Sequence, residues 1–320
     1  MLPNISLRQL TILVAFAEKG GMTAAGRAIG LSHSAVSLQL RALEEALGAD
    51  LIDRSSRPPR LTEEGRAVVA QARQVAGLVE EMAAAGAGGE KGARRGVLTL
   101  GVVPSAFVHL AAPTLAHLRQ AAPGIAVRLR AGLSGDLAEA VRSGSLDAAL
   151  LTRPGGSATP PGLDVRPLVE EPLELIAAPA LATEGAGLDP EQRIAHLVRH
   201  QPFIWFSRRA WAGRQIEQAL AARGLAPAEA MEVDALDAIE ALVRHGLGVS
   251  VVPRPAGARA EVRQGLFTLP LPGEGASRAL CLIEREGHPK AHLVSALAAA
   301  AAEVLAPSGT AGETAKLPKR

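Results

Sequence analysis

The stretch Thr23–Leu47, TAAGRAIGLSHSAVSLQLRALEEAL, constrains this chain more than any other. It reads as two helices with a tight corner between them. The first, from about Met22 to Ile29, is small and Ala-rich. At the corner, Gly30-Leu31-Ser32, the glycine suits the left-handed conformation that ends a helix, and the Ser32 hydroxyl suits the cap of the next. The second helix runs from His33 to about Ala46. Val36, Leu40, Leu43 and Leu47 recur at four, three and four, which is one helical stripe. At about 100° per residue, Ser34, Ser37, Leu38 and Arg41 fall on the opposite face. Short side chains there let a helix backbone approach a DNA major groove, and hydroxyls and Arg reach base edges and phosphates. The same pair also suits an ordinary helical hairpin with a polar outer face.

Residues 51–62 follow with a short apolar start, a turn-rich loop carrying Arg54, Arg57 and Arg60, and a return at Leu61-Thr62. This predicts a winged hairpin with a basic tip, suited to phosphate or minor-groove contact. Net charge is only +2, and residues 1–66 are nearly balanced. Any field that attracts DNA therefore comes from local placement, chiefly Arg41, Arg54, Arg57 and Arg60.

A family pattern also emerges. Phe16, Ala25, Ile29, Ser32, Ala35, Val36, Ser37, Gln39, Leu43, Glu44, Leu47, Gly48, Leu51, Arg54, Arg57, Leu61, Thr62 and Gly65 carry it. On these residues, segment 16–65 resembles the DNA-binding domain of LysR-type transcriptional regulators. It departs at Gly21, where the family usually has a Ser cap, and at Gly26, which replaces the second Ala of a pair. His33-Ser34 replaces Gln-Pro, Leu38 stands where Arg is frequent, and Ile52 replaces Phe. The changes at 33, 34 and 38 fall on the face assigned to double-stranded DNA, so they bear on base reading more than on fold. The expected DNA-binding set is His33, Ser34, Ser37, Leu38, Arg41, Arg54 and Arg57.

Before this unit, Leu7–Lys19 reads as a helix packed under the pair. After it, Thr62 caps a long helix with Glu63 and Glu64 in its first turn. Val68, Ala72, Val75, Val79 and Met82 repeat at four, three, four and three, a heptad seam. From Glu63 to Ala85 such a helix is about 35 Å long at ~1.5 Å per residue. A narrow seam without a nearby partner surface predicts dimerisation, and packing on its own domain is the alternative. The resemblance implies the same: a linker helix pairs two chains so that two recognition helices meet two half-sites. A homodimer is expected, assembling further into a homotetramer. Residues 86–96, GAGGEKGARRG, read as a hinge.

From Val97 onward apolar strands alternate with helices, as in VLTLGVV and LDAALL, which indicates a parallel sheet covered on both faces. The resemblance implies an α/β, two-lobed, periplasmic-binding-protein-like effector domain after the all-α winged helix-turn-helix unit. It rests here on GVVPS, SGDLAEAVRSGSLDAALL and VRHGLGVSVVP. The expected organisation is 1–62 for the DNA-binding domain, 63–96 for the linker helix and hinge, and 97–305 for the effector domain. Lobe I covers 97–161 and 264–305, lobe II covers 162–263, and 306–320 is a disordered tail. Residues 154–162 and 253–257, rich in Pro and Gly, are expected crossovers between lobes.

Ligands of open α/β sheets bind at strand-to-helix turns. Ser105 and Ser134 follow such strands, and Ser207-Arg208-Arg209 follows PFIWF. Helix-start amides beside a hydroxyl favour an anion, and Arg208 suits two parallel bonds to a carboxylate. For each Ser the plain alternative is a helix cap. The chain has five Phe, two Trp and no Tyr, yet Phe203, Trp205, Phe206 and Trp211 fall together. They suit the wall of an organic pocket, and core packing suits at least two of them equally. The expected effector set is Ser105, Ser134, Ser207, Arg208 and Trp211, holding a small organic anion.

Catalytic signals are poor. There is no GxSxG elbow and no P-loop, and Gly246-Leu247-Gly248 lies between a helix and a strand, the wrong order for a dinucleotide turn. His196/His200 and His288/His292 lack a third ligand motif, so no metal is expected. Cys281, the one cysteine, excludes an internal disulfide framework and reads as a core thiol. No apolar run spans a membrane and MLPNISLRQL has no signal-peptide core, so a cytoplasmic protein is expected. The reading is a non-enzymatic, cofactor-free, effector-switched DNA-binding regulator. The alternative is a cytoplasmic solute-binding protein or receptor on the same two-lobed fold, and a gel-shift separates the two.

Overall fold

The computed structural model describes residues 3–86, 95–154, 161–256 and 263–306. Most of the predicted hinge, residues 155–160 of the first predicted crossover and Gly257 of the second, and nearly all of the predicted tail lie outside the described residues.

Helix α1 (Leu7–Lys19) starts in a capping box between Ser6 and Gln9. Helices α2 (Met22–Ile29) and α3 (His33–Leu47) meet at the predicted corner, with Gly30 at φ 72° and the Ser32 hydroxyl accepting from the Ala35 amide. A Cβ on Gly26 would lie 2.5 Å from the Leu31 carbonyl oxygen, so glycine permits the close approach of α2 to the turn. Val36, Leu40 and Leu43 are fully buried together with Ile12, Leu13 and Phe16 of α1.

The wing is a two-stranded antiparallel hairpin, β1 (Ile52–Asp53) and β2 (Arg60–Leu61). Helix α4 (Glu63–Gly86) follows, with the Thr62 hydroxyl accepting from the Gly65 amide at 2.9 Å. Its packing corrects one expectation. Ala72, placed in the dimer seam, is buried, as is Val69, which the seam omitted. The side of α4 that carries them packs on α1 within the same chain. Val75 and Val79 are half-buried, while Leu78 and Met82 are exposed at 49% and 74%. The helix thus divides its apolar residues among α1, a cavity it shares with Val97 and Thr99, and solvent.

The remainder holds two apolar cores. Strands β3 (Gly96–Val102), β4 (Ile125–Ala131) and β5 (Ala148–Thr152) are parallel, joined by α5 (Ala112–Ala121) and α6 (Ser134–Arg142). A 3-10 turn (Pro104–Ala106) and a π-turn (Phe107–Ala111) precede α5.

Strand β6 (Leu163–Ala177) is long and pairs antiparallel with β9 (Ser250–Pro253), β10 (Phe267–Pro270) and β11 (Ser277–Arg285). The sheet is therefore mixed, not wholly parallel as its apolar runs indicated. Between these strands lie α7 (Pro190–His200), the parallel pair β7 (Phe203–Phe206) and β8 (Glu229–Val233), α8 (Trp211–Ala221) and α9 (Leu236–Arg244). Helix α10 (Ala291–Leu305) closes the first core.

The lobe boundaries differ from the expected 162 and 264. The first core takes Leu163 and Val169 of β6, and the second begins at Leu173. Strand β10, expected in lobe I, packs in the second core against the far half of β6. The core changes again between Ala276 and Leu280. Strand β6 runs from the first core into the second, so apolar composition marks no break where the core changes.

Candidate functional site

Helix α3 presents His33, Ser34, Leu38 and Arg41 exposed and Ser37 half-buried. With the start of α2 and the wing it borders a concavity of about 510 Å³, lined by Lys19, His33, Ser37, Arg41, Arg54 and Pro59 among others. Arg41, Arg57 and Arg60 are exposed and have no ion-pair partner among the described residues. Such cations suit phosphate contact.

Arg54 behaves differently. It grips Glu44 of α3 with bonds of 2.6 and 3.1 Å. The same carboxylate accepts from the Leu51 and Ile52 amides at 2.9 and 3.1 Å, which ties the wing to α3. Burial pushes the Glu44 carboxyl up, but the Arg54 bond and the two amides outweigh it and hold it below the ordinary value. Arg54 is thus a wing anchor with its guanidinium partly exposed toward the same concavity.

The interlobe region departs further from expectation. Ser207 donates to Glu232 at 3.1 Å, and Arg208 takes the same carboxylate through Nε and Nη2 at 3.0 and 2.9 Å. Arg208 also lies over the Trp205 ring, at 5.2 Å from its centre. The Ser207-Arg208 turn is an internally neutralised knot of lobe II, where an open cationic turn was expected. Phe203, Trp205 and Phe206 are core residues of lobe II, with Phe203 and Trp205 edge to face at 4.7 Å.

Trp211, from the same aromatic cluster, crosses to the other lobe. It packs against the first core and lies beside the start of α6, where a Cβ on Gly135 would be 3.7 Å from the indole nitrogen. Nearby, Gln215 of α8 donates to the Arg153 carbonyl at 2.8 Å, and its own Oε1 is buried without a partner.

Ser134 is buried, but it caps nothing. Leu133 holds the cap position of α6, and no side chain bonds the first amides there. Ser105 is engaged: its hydroxyl accepts from Arg278 at 2.7 Å. Arg278, 1% exposed on β11, also pairs with Glu171 of β6 at 2.7 Å. Beside this pair, Arg263 is held by Glu174 and Glu240, and burial lowers its guanidinium to about 10.

Arg278, Glu171, Arg153 and Gln215 were missed in the sequence. The signal for Arg278 was a cation at the head of the apolar strand SRALCLI. Arg153 directly follows β5, half-buried and without an ion-pair partner among the described residues. Of the predicted set, Ser134 and Trp211 converge between the lobes, Ser105 is held by Arg278, and Ser207 and Arg208 are turned to Glu232. His288 bonds Asp147 at 3.2 Å, and no group of three potential metal-ligating side chains occurs among the described residues.

Comparison with known proteins agrees with this architecture. The family described as "LysR substrate binding domain" matches residues 91–306, and "Bacterial regulatory helix-turn-helix protein, lysR family" matches 7–66. A probable hydrogen peroxide-inducible genes activator of Mycobacterium avium is 29% identical over 270 residues, 82% of this chain and 84% of that protein. The RuBisCO operon transcriptional regulator of Allochromatium vinosum is 29% identical over 285 residues, 89% and 91% of the two chains. A full-length OxyR from Pseudomonas aeruginosa shares the fold with a TM-score of 0.71 at 21% identity, covering 93% of this chain and 95% of that one. Full-length CbnR complexed with its target DNA shares it at TM-score 0.57 and 21% identity, covering 94% and 100%. With both domain families matched in order along one chain, the protein belongs to the LysR family of DNA-binding transcriptional regulators.

Proposed function

We propose that this regulator binds operator DNA as a homodimer and is switched by a small organic anion held between the two lobes. A cytoplasmic location follows from that role. Val75, Leu78, Val79 and Met82 of α4 supply the pairing face, since Val69 and Ala72 serve the chain's own core. A tetramer of two such dimers is the further assembly.

One observation carries the anion reading. At the start of α6, a buried Ser134 hydroxyl and helix amides lack a capping side chain, and Trp211 from the other lobe lies against them. Helix-start amides carry partial positive charge and a hydroxyl donates, which suits a carboxylate; an indole suits an organic body. Arg153 replaces Arg208 as the cation of choice, because Arg208 is already neutralised. Ser105 is a neighbour whose position Arg278 sets.

A relative described as a probable hydrogen peroxide-inducible genes activator raises a thiol sensor as the second reading, which Cys281 does not suit. Peroxide oxidises thiolates. Cys281 is fully buried in β11, and burial pushes its thiol up to about 12.

A panel of small carboxylates and amines, tested by thermal shift and by fluorescence anisotropy on DNA selected by the protein, checks the reading. A carboxylate that raises the melting temperature and changes DNA affinity supports it. A preference for amines overturns the anion, and a failure to bind any selected duplex overturns the DNA role of α3.

A further inference from the structure

Every large apolar residue of α3 but one faces inward. Val36, Leu40 and Leu43 are fully buried and Leu47 is half-buried, whereas Leu38 is 66% exposed. It lies between Ser34 and Arg41, and these three with Glu45 follow one another at four, three and four residues, all exposed. They form the outermost stripe of the helix. Its far end is acidic at Glu45, which repels phosphate, so the nucleic acid meets the first two turns. Those turns also carry the positive end of the helix dipole, and Arg54 of the wing borders the same concavity as His33 and Ser37.

We propose that Leu38 reads the methyl group of a thymine in the major groove. This rests on the reading of α3 as the recognition helix and names what its central residue selects. In that groove only thymine displays a methyl; the other bases display donors and acceptors there. A leucine has no hydrogen bond to give. Pressed against guanine, adenine or cytosine it strips water from N7, O6 or an amino group and leaves that group unpaired. Against thymine it buries apolar surface on both partners. Leu38 therefore favours one base by contact and penalises the others by desolvation. Arg41, three residues on, is placed for a phosphate or for the O6/N7 edge of a guanine. The half-site then combines a thymine whose position Leu38 fixes with neighbours read by Ser34 and Arg41.

The test uses the full chain and duplexes selected from a randomised library. Each invariant thymine is replaced singly by deoxyuracil, which removes the methyl and keeps the pairing. At one thymine per half-site the wild-type protein loses affinity about fourfold, the effect of one buried methyl-sized group. Leu38→Ala binds the thymine and deoxyuracil duplexes equally at that position. Leu38→Arg, selected afresh, prefers guanine there. If no thymine is sensitive to methyl removal, or if the sensitivity persists in Leu38→Ala, the assignment of Leu38 is wrong while α3 remains the recognition helix. If the wild-type protein selects no sequence at all, both fail.

Discussion

On the outer face of α3 and the wing, Arg41, Arg57 and Arg60 stand exposed without an ion-pair partner among the described residues. Between and behind the lobes, Arg208, Arg263 and Arg278 each hold a carboxylate. The difference follows from what each region meets. A DNA duplex arrives with its own dense negative charge, so cations left in water suit its phosphates. A cation inside a folded lobe has no such partner in the unliganded protein, and burial without one costs several kcal/mol, roughly. A carboxylate of the chain therefore stands beside it. Counting Arg residues in a cleft overstates its appetite for anions; the half-buried Arg153, without an ion-pair partner among the described residues, says more than the paired Arg208.

The largest effect expected from this contrast is at Arg278. Arg278→Met leaves Glu171, only 4% exposed, buried without its partner. Unfolding of the effector domain in urea should then be easier by about 3–5 kcal/mol. A loss below 1 kcal/mol would mean that water reaches Glu171.

Asp147 gives the next effect and a pH signature. Burial pushes its carboxyl up, but the bonds from His288 and Thr99 outweigh this and hold it at about 2. A lowered carboxyl stabilises the fold above its unfolded value near 3.8, and that share is lost as pH falls toward 2. Asp147→Asn should cost about 2 kcal/mol at pH 7 and little at pH 2. Thermal melts of both proteins across that range check the sign.

On the DNA side, Arg57→Ala should weaken binding to every sequence and flatten the salt slope by about one, with melting temperature unchanged. If slope and affinity both stay constant, the wing tip does not touch the duplex.

The smallest effect is at Arg208, whose pair with Glu232 is about one-third exposed on both sides. Arg208→Ala should cost at most about 1 kcal/mol and leave carboxylate affinity unchanged. A large loss of affinity would restore Arg208 to the ligand site.

The DNA-binding unit was legible because its signals are local. The apolar stripe Val36-Leu40-Leu43, the Gly30-Ser32 corner and the basic loop each act within a few residues, and the structure forms each as read. Ser134 was also placed at a helix start, though as the first residue of α6 and not its cap. What escaped depends on distant pairing. Glu232 lies 24 residues from Arg208 and Glu171 lies 107 from Arg278, so no local spacing announces either bond. The same holds for β6, whose course from one core into the other, with β10 paired to its far half, shifted the boundaries. On α4 a heptad pattern cannot say which of its residues the chain itself buries, and Ala72 is one of them.

The most direct measurement is calorimetric titration of wild type and Ser134→Ala with whichever small carboxylate most raises the melting temperature. Ser134 makes no hydrogen bond through its side chain among the described residues, so the unliganded melting temperature should hold. Affinity for the carboxylate should fall by about ten- to a hundredfold, the loss of one hydrogen bond to a charged group. Equal affinities in the two proteins, or a fall in melting temperature with and without ligand alike, would contradict an anion site at the start of α6.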